Sequence, residues 1–301
     1  MVCFCLLPIF MSTYFSFTDY DIMTKADFVG VDNYSKIFSD KYIIDALKNT
    51  FVYVIVTVPI QTFFSSGFRG VFWQTGCRIL SETFLRSAMF IPVIASSVTA
   101  GAIWRTIFGT DGGIVNSILG IFGIDGLNWL GSSKTALICV CVVAIWKNVG
   151  YFLVIYYAGI MGLSPELYEA ARVDGATSIQ QFFKITMPML KPINYLVITL
   201  GIIWSFQVFD LSYTMTNGGP GRSTVTLVMG IYNAAFKEYR MGYACAMAIL
   251  LLIIILIINV VENVFFKEKK RQRGDRHMKK SKGKKSSTGR RLEFLGCFVP
   301  S

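Results

Sequence analysis

The chain has 301 residues, of which 53% are hydrophobic, 15% aromatic and only 16% charged. A soluble domain of this length needs more polar side chains to cover its surface, so the composition excludes a soluble globular protein and indicates a membrane protein. The formal net charge of +11 is carried by the tail, because thirteen Lys and Arg between Lys267 and Arg291 outweigh Glu268 and Asp275.

Long apolar stretches follow one another along the chain. A helix needs about 20 apolar residues to cross roughly 30 Å of hydrocarbon. The stretches of about that length are residues 46–66, 87–108, 135–158, 193–213 and 241–265. Residues 1–18 form a sixth, short candidate; a signal peptide is the alternative, but the segment has neither a basic start nor a small-residue cleavage site. The expected fold class is an all-α polytopic membrane protein with about six transmembrane helices.

The charges of the loops predict the orientation of these helices, because cytoplasmic loops are enriched in Lys and Arg. The loop of residues 67–86 carries three Arg against one Glu, which favours a cytoplasmic position. Within this loop, residues 67–81 interrupt the second helix with Gly, Arg, Trp and Gln, so the sequence does not define the residue at which that helix ends. The loop of residues 19–45 carries six Asp against three Lys, which is weaker evidence for an outward position. Six helices with both termini in the cytoplasm follow.

The chain is predicted to divide into a membrane domain, residues 1–266, and a basic tail, residues 267–301. The simplest interpretation of the tail is a disordered cytoplasmic segment. The alternative is contact with anionic membrane lipid, which contributes about 1 kcal/mol per basic residue near the surface. Nucleic-acid binding is not expected, because neither a folded domain nor interleaved aromatic residues accompany the charge.

The stretch between the fourth and fifth of the six spans, Leu163–Pro192, has the signals of two short helices separated by a turn. A Ser–Pro pair suits a helix start, Gly suits its end, and Thr followed three residues later by Gln forms a capping box. These start, turn and stop signals are Ser164, Pro165, Gly175, Thr177, Gln180 and Pro188. Leu167, Ala170 and Ala171 share one face of the first helix. Such a helix is suited to being held by another protein; an ordinary inter-helix loop is the alternative.

The segments EAARVDGA and ITMPMLKP resemble the EAA loop in permease subunits of binding-protein-dependent ABC importers. The matching positions are Glu169, Ala170, Ala171, Asp174, Gly175 and Pro188. In that family the first helix of the loop is the coupling helix, which docks in a groove of the ATPase subunit. The resemblance implies that Glu169, Ala170 and Ala171 lie in the groove and that Asp174 and Gly175 form the turn beside it.

The resemblance covers about residues 7–266 and is greatest to the first permease subunit of carbohydrate importers of the maltose and glycerol-phosphate type. It implies a bacterial cytoplasmic (inner) membrane protein that works with a second permease, two ATPase subunits, an extracellular solute-binding protein and a carbohydrate substrate. In such permeases a longer first helix runs into a motif like Ser16–Tyr20, so we expect the chain to begin partway into that helix. A stretch like Asn217–Gly221 follows their fifth helix, and we expect it on the outer face, where the binding protein docks.

Polar side chains at membrane depth are the natural place to look for a substrate path. An ammonium group in mid-span, such as that of Lys147, costs about 2.5–3.5 kcal/mol on insertion scales, so it should face protein or water. The candidates are Trp146, Lys147, Asn148, Tyr151, Trp204, Gln207 and Asp210. Aromatic faces beside amides and charges suit sugars. Pairing of Lys147 and Asp210 with neighbouring helices or a partner subunit is the structural alternative.

Motifs for nucleotide hydrolysis are not found in the sequence, which has no Gly-rich phosphate-binding loop, carboxylate pair or Ser/His constellation. We therefore expect no enzyme and no cofactor, and we expect a separate subunit to hydrolyse ATP. Seven cysteines with one histidine do not suit a zinc site and are expected to be small buried residues. A gradient-driven secondary transporter is the alternative function, although the inverted repeats typical of many such carriers are not evident. A channel would need a ring of selectivity residues and a membrane enzyme would need a catalytic constellation, and neither is evident in the sequence.

Overall fold

The computed structural model describes residues 2–72 and 79–266, which are helical apart from two short strands and the connecting loops. The strands β1 (Thr18–Asp19) and β2 (Asp27–Phe28) pair antiparallel. The helices are α1 (Val2–Ser16), α2 (Asp32–Ser39), α3 (Lys41–Phe72), α4 (Ile79–Ile94), α5 (Ser97–Ile107), α6 (Ile114–Ile121), α7 (Ala136–Met161), α8 (Pro165–Val173), α9 (Ser178–Gln181), α10 (Met187–Met189), α11 (Lys191–Phe206), α12 (Asp210–Thr216), α13 (Leu227–Tyr232) and α14 (Met241–Phe266). Two π-helical turns occupy Phe182–Thr186 and Asn233–Lys237.

The chain divides into two compact units, Met1–Ile255 and Leu256–Ser301, and of the second the structure describes residues 256–266. The predicted basic tail, residues 267–301, therefore lies outside the described residues. So does part of the unusual segment 67–81, although the backbone of α3 continues as helix to Phe72.

Three helices are long and apolar enough to cross a membrane, namely Lys41–Gly67 within α3, α7 and α14. Two bent helix pairs meet the same criterion when each pair is counted as one span, so the described residues hold three to five candidate spans. A shorter apolar helix, Leu6–Ser16, lies in the predicted sixth span. The all-α membrane fold is therefore confirmed.

Two of the predicted spans are not continuous helices. The span predicted at residues 87–108 bends by 105° between Ile94 and Ser97. The span predicted at residues 193–213 ends at Phe206, and a second helix starts only at Asp210. Hydropathy misses this second break, because the residues within it are themselves largely apolar.

The centre of the first unit is α3, which packs against α7 and α11, while α4 crosses α7 and α12 packs on α5. One buried cluster joins α7 to the start of α11 through Phe152, Tyr156 and Val197. A second contains Cys139 and Cys141, which are buried free thiols, as the sequence predicted for these two cysteines.

Glycine allows the closest approach between these helices. A Cβ atom on Gly150 would overlap the carbonyl oxygen of Met89, so α4 crosses α7 with no room for a side chain at that point. Small residues at helix crossings are the usual way in which membrane helices pack tightly.

Candidate functional site

The first helix of the EAA-like loop (residues 164–189) begins and ends as the sequence predicts. Ser164 is the N-cap residue and Pro165 follows it, although the Ser164 hydroxyl makes no capping hydrogen bond. Gly175 has φ +75°, the left-handed conformation that ends a helix. The N–H groups of Gly175 and Ala176 donate to the carbonyls of Arg172 and Ala171, at 3.0 and 2.9 Å. This Schellman pattern fixes the direction of the turn.

The second helix of the loop opens with the predicted capping box. The N–H of Gln180 donates to the Thr177 hydroxyl at 3.4 Å, and the N–H of Thr177 donates to the Gln180 side chain at 3.0 Å. A π-helical turn then precedes Pro188, which lies within the last turn, and the helix ends at Met189 rather than at Pro188. The wider turn accommodates a proline that supplies no N–H.

A buried contact holds the two helices of the loop together. Tyr168 is only 7% exposed, and its hydroxyl lies 3.0 Å from that of Thr186. Gln181 is also buried and donates to the carbonyl of Ala176 at 2.9 Å. The sequence did not single out Tyr168, although it is the one aromatic residue of α8, which is the signal that could have found it.

The residues predicted to meet an ATPase lie on the open side of this loop. Glu169, Ala170, Asp174 and Gly175 are exposed and Ala171 is half-buried. Four large apolar side chains of the same loop are exposed in the part of the chain that the structure describes: Leu167, Val173, Ile179 and Phe183. The loop is thus rigid on one side and offers a mixed apolar and acidic surface on the other.

A polar cavity of about 270 Å³ lies where α7 meets the break between α11 and α12. Its walls are formed by Tyr53, Ser97, Lys147, Asn148, Trp204, Gln207, Val208, Phe209, Asp210 and Leu211. Five of the seven predicted pathway residues therefore lie together in one cavity. Tyr151 is the sixth predicted residue. Its ring contacts that of Trp204, with 4.8 Å between centroids, so it packs against a residue of the cavity wall. Trp146 does not line the cavity and packs instead against Trp104.

The cavity contains two charged groups, those of Lys147 and Asp210. Among the described residues, neither Lys147 nor Asp210 has an ion-pair partner within 4.0 Å; the pairs that are present join Arg222 to Asp45 and Arg240 to Glu238. The interpretation that Lys147 and Asp210 pair with neighbouring helices of the chain is not supported in this part of the structure. Both groups can contact a polar ligand or a partner subunit.

A polar face of α3 continues from the cavity and was not predicted. Thr57, Gln61 and Ser65 follow Tyr53 at intervals of four residues and are buried. The hydroxyls of Thr57 and Ser205 lie 3.1 Å apart, and Ser65 donates to the carbonyl of Val149 at 3.2 Å. The four-residue spacing of these polar residues is the sequence signal, which hydropathy averaging hides.

The turn at Asn217–Gly221 lies at the opposite end of α11 from the EAA-like loop. Asn217, Gly218 and Gly221 all have positive φ, as expected for this run of turn residues. The chain after the turn is buried rather than exposed: Thr224, Val225, Thr226 and Leu227 are each at most 3% exposed. Within the turn and the residue after it, Asn217, Gly221 and Arg222 are exposed.

Residues 38–271 match the family described as "Binding-protein-dependent transport system inner membrane component". The chain belongs to this family. It is therefore a permease component of an ABC importer embedded in a membrane, a transport component rather than a catalytic subunit, and the resemblance seen in the EAA-like loop is confirmed.

Relatives are named as ABC transporter permeases. A probable ABC transporter permease of Bacillus subtilis, YurN, is 34% identical over 89% of this chain and 93% of its own length. The sulfoquinovosyl glycerol transport permease SmoG of Agrobacterium fabrum is 32% identical over 81% and 79%, and the trehalose/maltose transport permease MalF of Thermococcus litoralis is 29% identical over 82% of each.

A solved structure has the same fold. A chain of a bacterial ABC transporter involved in the import of the acidic polysaccharide alginate superposes with a TM-score of 0.74 over 88% of this chain and 96% of its own, at 21% sequence identity. Fold, family and relatives favour the importer over the gradient-driven carrier, which was the alternative function.

Proposed function

We propose that this chain is one of two permease subunits in an ATP-driven importer that moves a carbohydrate across the bacterial cytoplasmic membrane. Its partners would be a second permease, two ATPase subunits and an extracellular solute-binding protein. The observation that carries this proposal is that α11 starts at Lys191, directly after the EAA-like loop, and ends at Phe206, beside the polar cavity. Its 16 residues extend about 24 Å, most of a bilayer core. One helix thus joins the surface offered to an ATPase to a wall of the cavity.

In the proposed mechanism α8 is the coupling helix. Glu169, Ala170 and Ala171 enter the groove of the ATPase, and Asp174 with Gly175 forms the turn beside it. Closure of the ATPase dimer on ATP displaces α8, and the buried Tyr168 carries the displacement to the second helix of the loop. From there it reaches α11, and the permease pair opens outward to accept substrate. No covalent chemistry takes place in this chain.

The polar cavity is the proposed part of the substrate pathway in this subunit. Tyr53, Trp204 and Phe209 present aromatic rings, and Lys147, Asn148, Gln207 and Asp210 present hydrogen-bonding groups. Carbohydrates offer apolar C–H faces together with many hydroxyls, so this mixture suits them. Several relatives are named for sugars or oligosaccharides, which supports the same class.

The proposed orientation has the EAA-like loop and both termini in the cytoplasm, with the turn at Asn217–Gly221 on the outer face. Labelling of a cysteine introduced at Ala170 by a membrane-impermeant thiol reagent tests it. We expect labelling in inverted vesicles from cells that lack the ATPase subunits, where no groove covers Ala170, but not in intact spheroplasts. The reverse pattern would contradict the coupling role of α8.

The energy source is tested by uptake into membranes that contain ATP but no proton or sodium gradient. We expect uptake to continue under these conditions and to stop when ATP is removed. Uptake that stops with the gradients, despite ATP, would favour a gradient-driven carrier.

Coupling through the loop is tested at Gly175. Gly175→Pro is incompatible with φ +75° and should abolish ATP-driven uptake and co-purification with the ATPase while the chain still inserts. Gly175→Asn is the matched control, because Asn tolerates the left-handed conformation and should retain both. Normal uptake and ATPase binding in the Pro variant would overturn the assignment of α8.

A further inference from the structure

We propose that Thr226 is a positioning residue that fixes the non-helical break Gln207–Phe209 in the wall of the polar cavity. Its hydroxyl donates a 2.9 Å hydrogen bond to the carbonyl of Val208, in the middle of the break. Both residues are buried. This proposal rests on the proposed function, because only that function makes the break a wall of the substrate pathway.

The break needs such a partner for a simple reason. A helix satisfies each carbonyl with an N–H four residues later, and at a break inside apolar surroundings this supply ends. The carbonyl of Val208 lies between the end of α11 and the start of α12. The next residue, Phe209, is not helical and has φ −136° and ψ −59°. Thr226 supplies the donor from 18 residues further along the chain.

Thr226 is itself held in place by the segment that contains it. We call residues 224–227 the clasp. On one side of the clasp, Ser212 of α12 donates to the carbonyl of Thr224, and the hydroxyls of Thr216 and Thr224 lie 2.6 Å apart. The clasp is therefore bonded to α12, the helix that continues from the break.

On its other side the clasp is bonded to α3. The N–H of Leu227 donates to the Thr50 hydroxyl at 3.0 Å, and the side chain of Asn49 donates to the carbonyls of Arg222 and Val225 at 2.8 and 3.0 Å. Because α3 is the central helix, Thr226 holds Val208 against a fixed part of the fold. These hydrogen bonds thereby hold the backbone of the break, residues 207–209, in a single conformation.

The test measures the break directly, with a reporter that does not depend on the transported sugar. Gln207 is exposed in the cavity, and Gln207→Cys in the importer assembled with its partner subunits provides a thiol there. The probe is a small charged methanethiosulfonate reagent, and the same complex without Gln207→Cys gives the background from the native cysteines. Thr226→Val removes the hydroxyl at nearly constant volume, and Thr226→Ser retains it.

We expect Thr226→Val to raise the labelling rate of the introduced thiol about fivefold, the change in population that corresponds to the loss of the hydrogen bond to Val208. The variant also loses the hydrogen bond that the Thr226 hydroxyl accepts from the N–H of Met229, the N-cap bond of α13. Thr226→Ser should label at the parent rate. Thr50→Val is the matched control, because it removes one hydrogen bond between the clasp and α3 but leaves those from Asn49 and the donor to Val208 in place. It should label within twofold of the parent.

Three results would overturn the proposal: equal rates in all variants, an increase in Thr50→Val as large as that in Thr226→Val, or no rescue by Thr226→Ser. Thr226→Ala is the second variant if Thr226→Val does not insert, and failure of both to fold would also overturn it, since a positioning role predicts folded proteins. Uptake by the parent complex, which retains Gln207, reports on the proposed function separately. Altered labelling, together with a parent complex that transports no carbohydrate, would support the positioning role and contradict only the transport assignment.

Discussion

The hydroxyl groups of Tyr168 and Thr186 lie 3.0 Å apart in a buried contact between the two helices of the EAA-like loop. Tyr168 belongs to α8 and Thr186 to the π-helical turn that precedes Pro188. Among the side chains of α8, Tyr168 alone is buried. In the proposed mechanism, a displacement of α8 therefore reaches the second helix of the loop through this tyrosine and through the turn at Gly175.

This contact predicts a measurable coupling energy. Tyr168→Phe and Thr186→Val each leave one buried hydroxyl without its partner, so each should lower the free energy of unfolding by about 1–3 kcal/mol. The double variant removes both groups, and its loss should be smaller than the sum of the two by about 1 kcal/mol. Thermal unfolding of the detergent-solubilised protein measures the cycle. Simple additivity would mean that the two hydroxyls do not interact.

A second prediction concerns the loop that connects α5 to α7. The side chain of Asn116 donates to the carbonyls of Gly109, Thr110 and Leu127, and its oxygen accepts from the N–H of Leu127 and the ring N–H of Trp129. One side chain thus fixes both ends of the loop.

Asn116→Ala should therefore destabilise the loop by about 2 kcal/mol, since several net contributions of about 1 kcal/mol are lost and part of the site is open to water. Limited proteolysis should cut residues 109–130 at least tenfold faster than in the parent protein. Ser117→Ala is the control, because among the described residues the Ser117 hydroxyl bonds only to the carbonyl of Gly113, the N-cap residue of its own helix. Equal cleavage of the two variants would argue against Asn116 as the fixing residue.

The features predicted correctly from the sequence are those that depend on neighbouring residues. Gly175 takes positive φ and Thr177 forms its capping box with Gln180, because the geometry of a turn or cap is decided within a few residues. Long apolar runs likewise identify α7 and α14, since the thickness of a bilayer sets their length.

The features that were missed depend on residues far apart in the chain. The break after Phe206 is stabilised by Thr226, and nothing within residues 193–213 reveals it. The small-residue face of α8 was singled out, whereas its buried anchor is Tyr168, whose partner lies 18 residues away. Tyr53 and Ser97 were missed as cavity residues because they come from other helices. A single sequence carries periodicity but not these distant contacts.

A third prediction separates the structural from the functional role of Lys147. Since no ion pair within the described residues holds its ammonium group, Lys147→Gln breaks no bond of that kind and removes a charge that costs about 2.5–3.5 kcal/mol at membrane depth. We expect the yield of folded protein to stay equal or rise, while uptake of the carbohydrate transported by the parent falls at least tenfold. Size-exclusion chromatography and initial uptake rates provide the two measurements.

Lys147→Arg is the control for this experiment, because it retains the positive charge and should keep more uptake than the Gln variant. Loss of folded protein in Lys147→Gln, with normal uptake per folded molecule, would assign Lys147 to the packing of the fold or to a partner subunit instead.

The crossing of α4 and α7 gives the last prediction. Gly150 lies against the carbonyl of Met89 so closely that any Cβ atom would overlap it, and the obstacle is backbone, which cannot rotate away. Gly150→Ala should therefore force the two helices apart and lower the free energy of unfolding by about 1–3 kcal/mol, as overpacking does in other tightly packed cores. Gly120→Ala in α6 is the matched control, since nothing lies within 4 Å of its added methyl group, and it should be neutral or slightly stabilising. Thermal unfolding of both variants measures the difference, and a Gly150→Ala protein as stable as the control would mean that the two helices do not meet at this glycine.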